Sequence, residues 1–167
     1  MITSKRCYLE LLAEEDFDAL LEMFLEPDAF KYIAPLKDKT PEFYNNFLLK
    51  KQQEVSQVLG YYWVIRDHSS KEFIGAINLT PIPNTNKTQI GWQLKSKHHR
   101  KGLAYEAAQA AFQFALNKTT IDPIYAVFES ENLASEKMIK KLGFQKNSEQ
   151  KEAGITVETY VYRRTKN

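Results

Sequence analysis

A basic loop that runs directly into an alanine-rich helix constrains the fold of this chain more than any other sequence feature. The strand-like segment Lys87–Leu94 is followed by the basic stretch Lys95–Lys101 and then by a helical pattern over Ala104–Leu116. Because a helix start offers unpaired N–H groups and partial positive charge, and Gly102 beside it permits close approach, this junction is a candidate phosphate site. The helix has a face of small residues that can lie close to a sheet: Ala104, Ala107, Ala108, Ala111 and Ala115.

The patterns on either side of this loop predict an α+β fold. In chain order they indicate a strand over Cys7–Leu12, a helix through Phe17 and Phe24, a loop over Pro27–Lys39, a helix from Thr40 to Gly60, strands over Tyr61–Arg66, Glu72–Thr80 and Lys87–Leu94, the helix Ala104–Leu116, a strand over Ile124–Ser130, a helix over Asn132–Leu142, and a hairpin from Gln145 that includes Thr156–Tyr162. The apolar positions of the second helix include Phe43 and Leu59. We predict a single domain, residues 1–167, with a mixed, mostly antiparallel sheet flanked by helices.

Charge and cysteine content narrow the possible partners. The chain has 23 basic and 21 acidic residues, for a formal charge of +2, so the molecule as a whole has little attraction for nucleic acid or anionic membranes. Its one cysteine, Cys7, excludes an intramolecular disulfide and a cysteine-built zinc site. No stretch approaches the ~18 apolar residues of a membrane span, and the N-terminus lacks the apolar core of a signal peptide. We expect a cytoplasmic protein without nucleic-acid or membrane partners.

Two common phosphate-binding motifs do not match the basic loop. A Walker loop requires Gly-Lys-Ser/Thr, and a dinucleotide fingerprint requires three spaced glycines at the start of a βαβ unit; the chain has neither. His98 and His99 are adjacent and lack metal-ligand spacing, so we predict no metal and expect both rings to add to the field at the phosphate site.

Two separated motifs resemble one enzyme family. His99-Arg-Lys-Gly-Leu-Ala104 resembles the Arg/Gln-x-x-Gly-x-Gly/Ala loop of the GNAT N-acetyltransferase superfamily, with His99 and Arg100 as departures that main-chain contacts tolerate. Asn132-Leu-Ala-Ser135 followed by Lys141-Leu-Gly-Phe144 is similar to the signature of the branch that includes the ribosomal-protein serine and alanine N-acetyltransferases.

The resemblance implies acetyl-CoA as cofactor and direct attack by a primary amine without a metal. It implies that the pantetheine arm lies between two splayed strands and pairs with backbone of the fourth predicted strand. It assigns Ser135 as the catalytic group that hydrogen-bonds the departing thiolate, since Ile139 stands where many relatives have tyrosine. The cofactor-binding residues it implies are Trp92, Gln93, Leu94, His99, Arg100, Lys101, Gly102, Leu103, Ala104 and Asn132.

Several assignments have alternatives. From the residues alone, Asn132 and Ser135 are better explained as helix caps than as functional residues, and Glu106 is explained by its favourable position near a helix N-terminus. Glu129 and Glu131 are candidate water-mediated bases, because Gln89 or Gln93 occupies the strand position where several relatives have glutamate. Phe30, Tyr32 and Trp92 are candidate lining residues of an acceptor pocket.

The acceptor that we predict is a primary amine, with a protein or peptide N-terminus as the first candidate. An α-amine with a pKa of about 7.7–8.0 is roughly a tenth neutral at pH 7, whereas lysine at about 10.4 is almost fully charged. The alternatives are a small amine such as an amino acid, polyamine or aminoglycoside, or a non-catalytic module that binds acyl-CoA or nucleic acid.

Overall fold

The fourth strand, Phe73–Pro81, is buried along nearly its whole length, so the sheet must be covered on both faces. The computed structural model describes residues 1–165 and has helices on both sides of eight strands. The strands are β1 Ile2–Thr3, β2 Cys7–Leu11, β3 Tyr61–Asp67, β4 Phe73–Pro81, β5 Thr88–Leu94, β6 Ile124–Glu129, β7 Gln145–Glu152 and β8 Ile155–Tyr162. The α-helices are α1 Phe17–Phe24, α2 Pro41–Ser56, α3 Leu103–Lys118 and α4 Leu133–Lys141.

The strand order is β1-β2-β3-β4-β5-β6-β8-β7. Neighbouring strands are antiparallel except β5 and β6, which are parallel. The α3 helix provides the crossover between these two parallel strands. The mixed, mostly antiparallel sheet that the sequence predicts is therefore confirmed.

Alternation along β3 divides the interior into two cores. Trp63 and Ile65 belong to the core that contains the buried alanines of α3, whereas Tyr62 and Val64 belong to the core under α1 and α2. Ala107, Ala108, Ala111 and Ala115 are fully buried, as the small-residue pattern predicted.

The second helix differs from its prediction in length and in the residues that it buries. It is capped by Thr40, whose hydroxyl oxygen accepts from the Phe43 N–H at 3.1 Å, but it ends at Ser56 instead of reaching Gly60. Phe43 is 40% exposed, while Tyr44 is buried and donates its hydroxyl hydrogen to Leu36 O at 2.8 Å. Sequence spacing chose Phe43 for the apolar face where its neighbour Tyr44 is buried instead, because a tyrosine with a buried hydrogen-bond partner competes well for a core position.

Gly60 has a packing role that the sequence did not reveal. A Cβ at this residue would lie 2.8 Å from Leu79 O, so glycine lets the start of β3 lie against β4. The exposed Leu59, predicted on the apolar face of the helix, lies outside it at 56% exposure. Strand β1 was not predicted, and residues 166 and 167 of the predicted domain lie outside the described part. Within residues 1–165, no helix is long and apolar enough to cross a membrane.

Candidate functional site

A gap opens between β5 and β6 soon after they pair. Their parallel ladder contains only Thr88 opposite Ile124 and Gln89 opposite Tyr125. The Lys95 N–H donates to Ile74 O at 2.9 Å, so the odd-numbered positions of β5 direct their backbone groups toward β4. Trp92 and Leu94 therefore present backbone N–H and C=O groups to the gap, where no strand in the described chain pairs with them.

The helix that follows this gap starts without a side-chain cap. Gly102 occupies its N-cap position in the left-handed conformation, with φ +75° and ψ 5°. The Glu106 N–H donates to Gly102 O at 3.1 Å and closes the first turn. The N–H groups of Leu103, Ala104 and Tyr105 precede that bond and have no acceptor within the helix. The predicted binding of an anion at this helix start would depend on these N–H groups.

Not all of the cationic side chains of the loop are available to bind an anion. Lys97 forms an ion pair with Glu72, and Lys95 forms one with Glu22 at 2.9 Å. Arg100 and Lys101 are exposed and have no carboxylate within salt-bridge distance among residues 1–165. These two side chains therefore provide the unneutralised charge next to the helix start.

The two histidines have different roles from the shared one that the sequence predicted. His98 is 9% exposed, and burial lowers its pKa below the usual value; Glu72 opposes this shift, while Lys97 and Lys101 add to it. A neutral His98 contributes no charge to the loop, so that part of the prediction is wrong. The exposed His99 has its Nε2 2.9 Å from Leu94 O and connects the loop to the end of β5.

The side chain of Glu106 connects the loop to the N-terminal hairpin. Its carboxylate accepts from the Arg6 N–H at 2.6 Å and the Arg6 Nε–H at 2.7 Å, and lies 2.7 Å from Ser4 Oγ. The helix dipole accounts for an acid in the first turn of α3, where Glu106 lies, but not for these contacts, which the sequence did not predict. The sequence analysis missed Arg6 because it lies 100 positions from Glu106. The one hint in the sequence was an acidic residue close to Gly102 with no obvious partner nearby.

At the end of β6, Asn132 caps α4. Its side-chain oxygen accepts from the Ser135 N–H at 3.2 Å, as the capping alternative predicted. The Ser135 side chain is half-buried, and its hydroxyl makes no hydrogen bond within the described residues. Ile139 is fully buried in the core. The cap thus accounts for the asparagine and leaves the serine hydroxyl available.

On the face of the sheet opposite α3, the gap is covered by the segment Ala29–Ala34, which we call the bridge. Gln93 Nε2 donates to Ala29 O at 3.0 Å, and the Ala34 N–H donates to Glu129 Oε2 at 3.1 Å. One end of the bridge is thereby held to β5 and the other to β6. Gln93 directs its backbone toward β4 and its side chain to the bridge, so its contact with the cofactor stays a prediction that none of these bonds supports.

The aromatic residues of the bridge are not equivalent. Phe30 is 5% exposed and packs against Phe24 and Tyr44, with ring centroids 5.2 and 5.3 Å away. It belongs to the core, so its prediction as a pocket-lining residue is wrong. Tyr32 is half-buried, and the Trp92 side chain packs against the α3 core. Leu103 is buried as well, which leaves its backbone N–H as the group that can bind a ligand.

No group of three potential metal-ligating side chains occurs in residues 1–165. Glu131 is exposed beyond the end of β6, whereas Glu129 is half-buried and bonded to the bridge. Of the two carboxylates predicted as water-mediated bases, Glu129 is therefore the better placed for that role.

The chain is similar to known proteins in sequence and in fold. The family model "Acetyltransferase (GNAT) domain" matches residues 6–145. The uncharacterised N-acetyltransferase YjdG of Bacillus subtilis is 36% identical over 83 residues, a match that spans about half of each chain (49% of both). The ribosomal-protein uS5 alanine N-acetyltransferase of Escherichia coli is 25% identical over 87% of this chain and 78% of its own. The ribosomal L7/L12 α-N-protein acetyltransferase RimL, solved in complex with coenzyme A, superposes with a TM-score of 0.82 at 18% identity, covering 96% and 95% of the two chains.

Proposed function

The chain belongs to the GNAT acetyltransferase family, and from this premise we propose that it moves the acetyl group of acetyl-CoA to the α-amine of a protein or peptide N-terminus. It is an N-acetyltransferase of the branch that includes the ribosomal-protein enzymes. The cofactor, the acceptor and a cytoplasmic location are parts of the proposal.

One observation carries the use of coenzyme A: the gap between β5 and β6 opens beside the uncapped start of α3. An extended amide-containing chain can pair with the backbone of Trp92 and Leu94 as an added strand would. The N–H groups of Leu103 and Ala104 and the charges of Arg100 and Lys101 then fit a diphosphate. The residues present therefore match the two halves of the cofactor in the order in which the chain places them.

The residues of this chain have separate tasks in the proposed reaction. When bound, acetyl-CoA supplies a thioester whose carbonyl carbon a neutral amine attacks. A backbone N–H on the open edge of β5, at Trp92 or Leu94, is suited to stabilise the oxyanion, because a fixed dipole needs no reorganisation as charge develops. The Ser135 hydroxyl has no competing partner within residues 1–165 and can donate a hydrogen bond to the departing sulfur.

The acceptor site that we propose lies under the bridge. Gln93 and Glu129 approach the gap from its two sides on this face, and Tyr32 lies between their attachment points in the sequence. An α-amine fits because roughly a tenth is neutral at pH 7, which requires little help from a base. The E. coli relative acts on a ribosomal-protein alanine, so we propose a small residue at the acceptor N-terminus.

The experiment is a screen for acetyl-CoA-dependent thiol release with three sets of acceptors. The first set is peptides with a free N-terminus and an internal lysine, and the second is the same peptides with a blocked N-terminus. The third set is small amines, including spermidine and free amino acids. We expect release with the free N-termini only. Release with small amines alone would overturn the proposed acceptor, and binding of coenzyme A without release from any amine would support a non-catalytic acyl-CoA-binding protein.

A further inference from the structure

The hairpin turn between β1 and β2 contacts the predicted phosphate loop through one ion pair. Arg6 lies in this turn and Glu106 in the first turn of α3. The Glu106 side chain is 17% exposed and that of Arg6 46%. Burial raises the pKa of the Glu106 carboxyl, but hydrogen bonds from the Arg6 N–H, Ser4 and the Arg6 guanidinium outweigh burial and hold this pKa below its usual value. The carboxylate is therefore charged at neutral pH.

The guanidinium of Arg6 also reaches the loop itself. Its Nη1–H donates to Lys101 O at 2.9 Å, while its Nε–H donates to Glu106 Oε2. The Glu106 backbone N–H in turn donates to Gly102 O. These bonds close a ring around the Lys101–Gly102 segment, with each of its two carbonyl oxygens held by a different member of the pair.

Holding these two carbonyls also sets the direction of the next two N–H groups. In a planar trans peptide the C=O and the following N–H point in opposite directions. The bond to Lys101 O therefore turns the Gly102 N–H away from Arg6. The bond to Gly102 O, which points along α3, directs the Leu103 N–H out of the N-terminus of the helix. The left-handed conformation of Gly102, with φ +75°, is held between these two fixed peptides.

We propose that Arg6 and Glu106 are positioning residues for the cofactor: their ion pair holds the Arg6 guanidinium on Lys101 O and so fixes the Lys101–Gly102 peptide, so that the loop N–H groups face the diphosphate of coenzyme A. The inference rests on the proposed function for the identity of the ligand. The positioning itself is a property of the free protein and is measurable without any ligand. Arg6 and Glu106 affect cofactor binding through the backbone of the loop.

The test combines four variants with a matched control. Glu106→Gln, Arg6→Ala and the double variant break the pair, and Arg6→Lys keeps the charge but lacks the planar fork that reaches both Glu106 and Lys101 O. The control is Glu54→Gln, which breaks the ion pair of Glu54 with Lys51 on α2, formed at 3.2 Å; the Glu54 side chain is 15% exposed, close to the 17% of Glu106.

We expect calorimetry to show coenzyme A binding weakened about tenfold by Glu106→Gln, Arg6→Ala and Arg6→Lys alike, since each removes charge-assisted hydrogen bonds. The double variant should bind no more weakly than the weaker single variant. KM for acetyl-CoA should rise while kcat at saturation changes little, and the control should match the wild type. Retained affinity in Arg6→Lys would show that the charge alone acts and would overturn the positioning role.

Amide hydrogen exchange of the free protein provides the second readout. We expect the amide of residue 106, which donates to Gly102 O, to exchange faster in Glu106→Gln and Arg6→Ala, with unchanged exchange in β5 and in the Glu54→Gln control. Unchanged exchange of this amide in a folded variant would overturn the inference. If the wild type binds no coenzyme A, the proposed function fails, and the exchange result still decides whether the pair holds the loop.

Discussion

The imidazole of His99 donates from Nε2 to Leu94 O over 2.9 Å, so the first residue of the predicted phosphate motif is bonded to the last residue of β5. A donor is required on Nε2, because a carbonyl oxygen can only accept. The contact occupies one backbone group at the mouth of the gap and fixes the loop to the strand that the pantetheine arm is proposed to follow. His99 thus supports the loop with its side chain.

The first prediction is that His99→Ala weakens coenzyme A binding modestly. One exposed hydrogen bond is worth roughly 0.5–1.5 kcal/mol, which corresponds to about a threefold to tenfold rise in Kd. Calorimetry with coenzyme A measures this change. Thr85→Val serves as the control, because it removes a similar side-chain bond to backbone, 2.8 Å from Thr85 Oγ1 to Ile82 O, in a turn away from the loop. A Kd equal to that of the wild type would exclude a supporting role for His99.

The second prediction concerns backbone strain at Gly102. An alanine there would meet only Arg6 Nη2, at 3.4 Å, so the cost comes from the left-handed conformation, about 1–2 kcal/mol. We expect Gly102→Ala and the β-branched Gly102→Val to weaken coenzyme A binding, by about tenfold or more for valine, while circular dichroism shows the fold retained.

Gly154 is a close control for this change. It has φ +80° at the tip of the β7–β8 hairpin, with nothing within 4 Å of an added Cβ. Gly154→Ala should lower the melting temperature about as much as Gly102→Ala and leave coenzyme A binding unchanged. Equal affinities of the two variants would count against the loop as the diphosphate site.

Much of this site could be predicted because it is local in sequence. The strand, basic loop, glycine and small-residue helix are consecutive, and the Asn132 cap reaches only three residues ahead. At the start of α2 the prediction was wrong for Phe43, since apolar spacing does not show that the hydroxyl of the neighbouring Tyr44 finds a buried acceptor at Leu36 O.

The contacts that sequence reasoning missed join distant segments. Arg6 and Glu106 are 100 residues apart, Gln93 and Ala29 are 64, and Ala34 and Glu129 are 95. Each partner also has a satisfactory local explanation, such as an acid near a helix start. The local explanation for Glu106 gave no reason to look for Arg6, and only the order of the strands brings the two together.

The third prediction separates the roles of Ser135 and Asn132. Ser135→Ala should lower kcat about a hundredfold if its hydroxyl serves the departing thiolate, with little change in melting temperature because that hydroxyl has no partner in the described protein. Asn132→Ala should cost about 1 kcal/mol of stability through loss of the cap, and Asn132→Asp should retain it. Ser148→Ala, an exposed change on β7, is the control. An unchanged kcat in Ser135→Ala would remove its catalytic assignment.

The fourth prediction is that Cys7 does not react with thiol reagents in the folded protein. The residue is 1% exposed, and burial raises the pKa of its thiol despite the hydrogen bond with Ser4. Since the thiolate is the reactive form, labelling by a disulfide reagent should be slow in buffer and rapid in denaturant. Fast labelling of the native protein would show that the β1–β2 hairpin opens. The slow rate also means that a thiol-release assay reports coenzyme A alone.

The fifth prediction tests whether Gln93 affects binding of the acceptor or binding of the cofactor. Gln93→Ala removes the donor to Ala29 O and should loosen the bridge, raising KM for the acceptor about threefold or more while KM for acetyl-CoA stays near its wild-type value. Gln93→Glu should have a larger effect, because a carboxylate would face the Ala29 carbonyl without a hydrogen to donate. Gln109→Ala, an exposed change on α3, is the matched control. If KM for acetyl-CoA rose and that of the acceptor did not, Gln93 would belong to the cofactor side after all, and the bridge would have no part in acceptor binding.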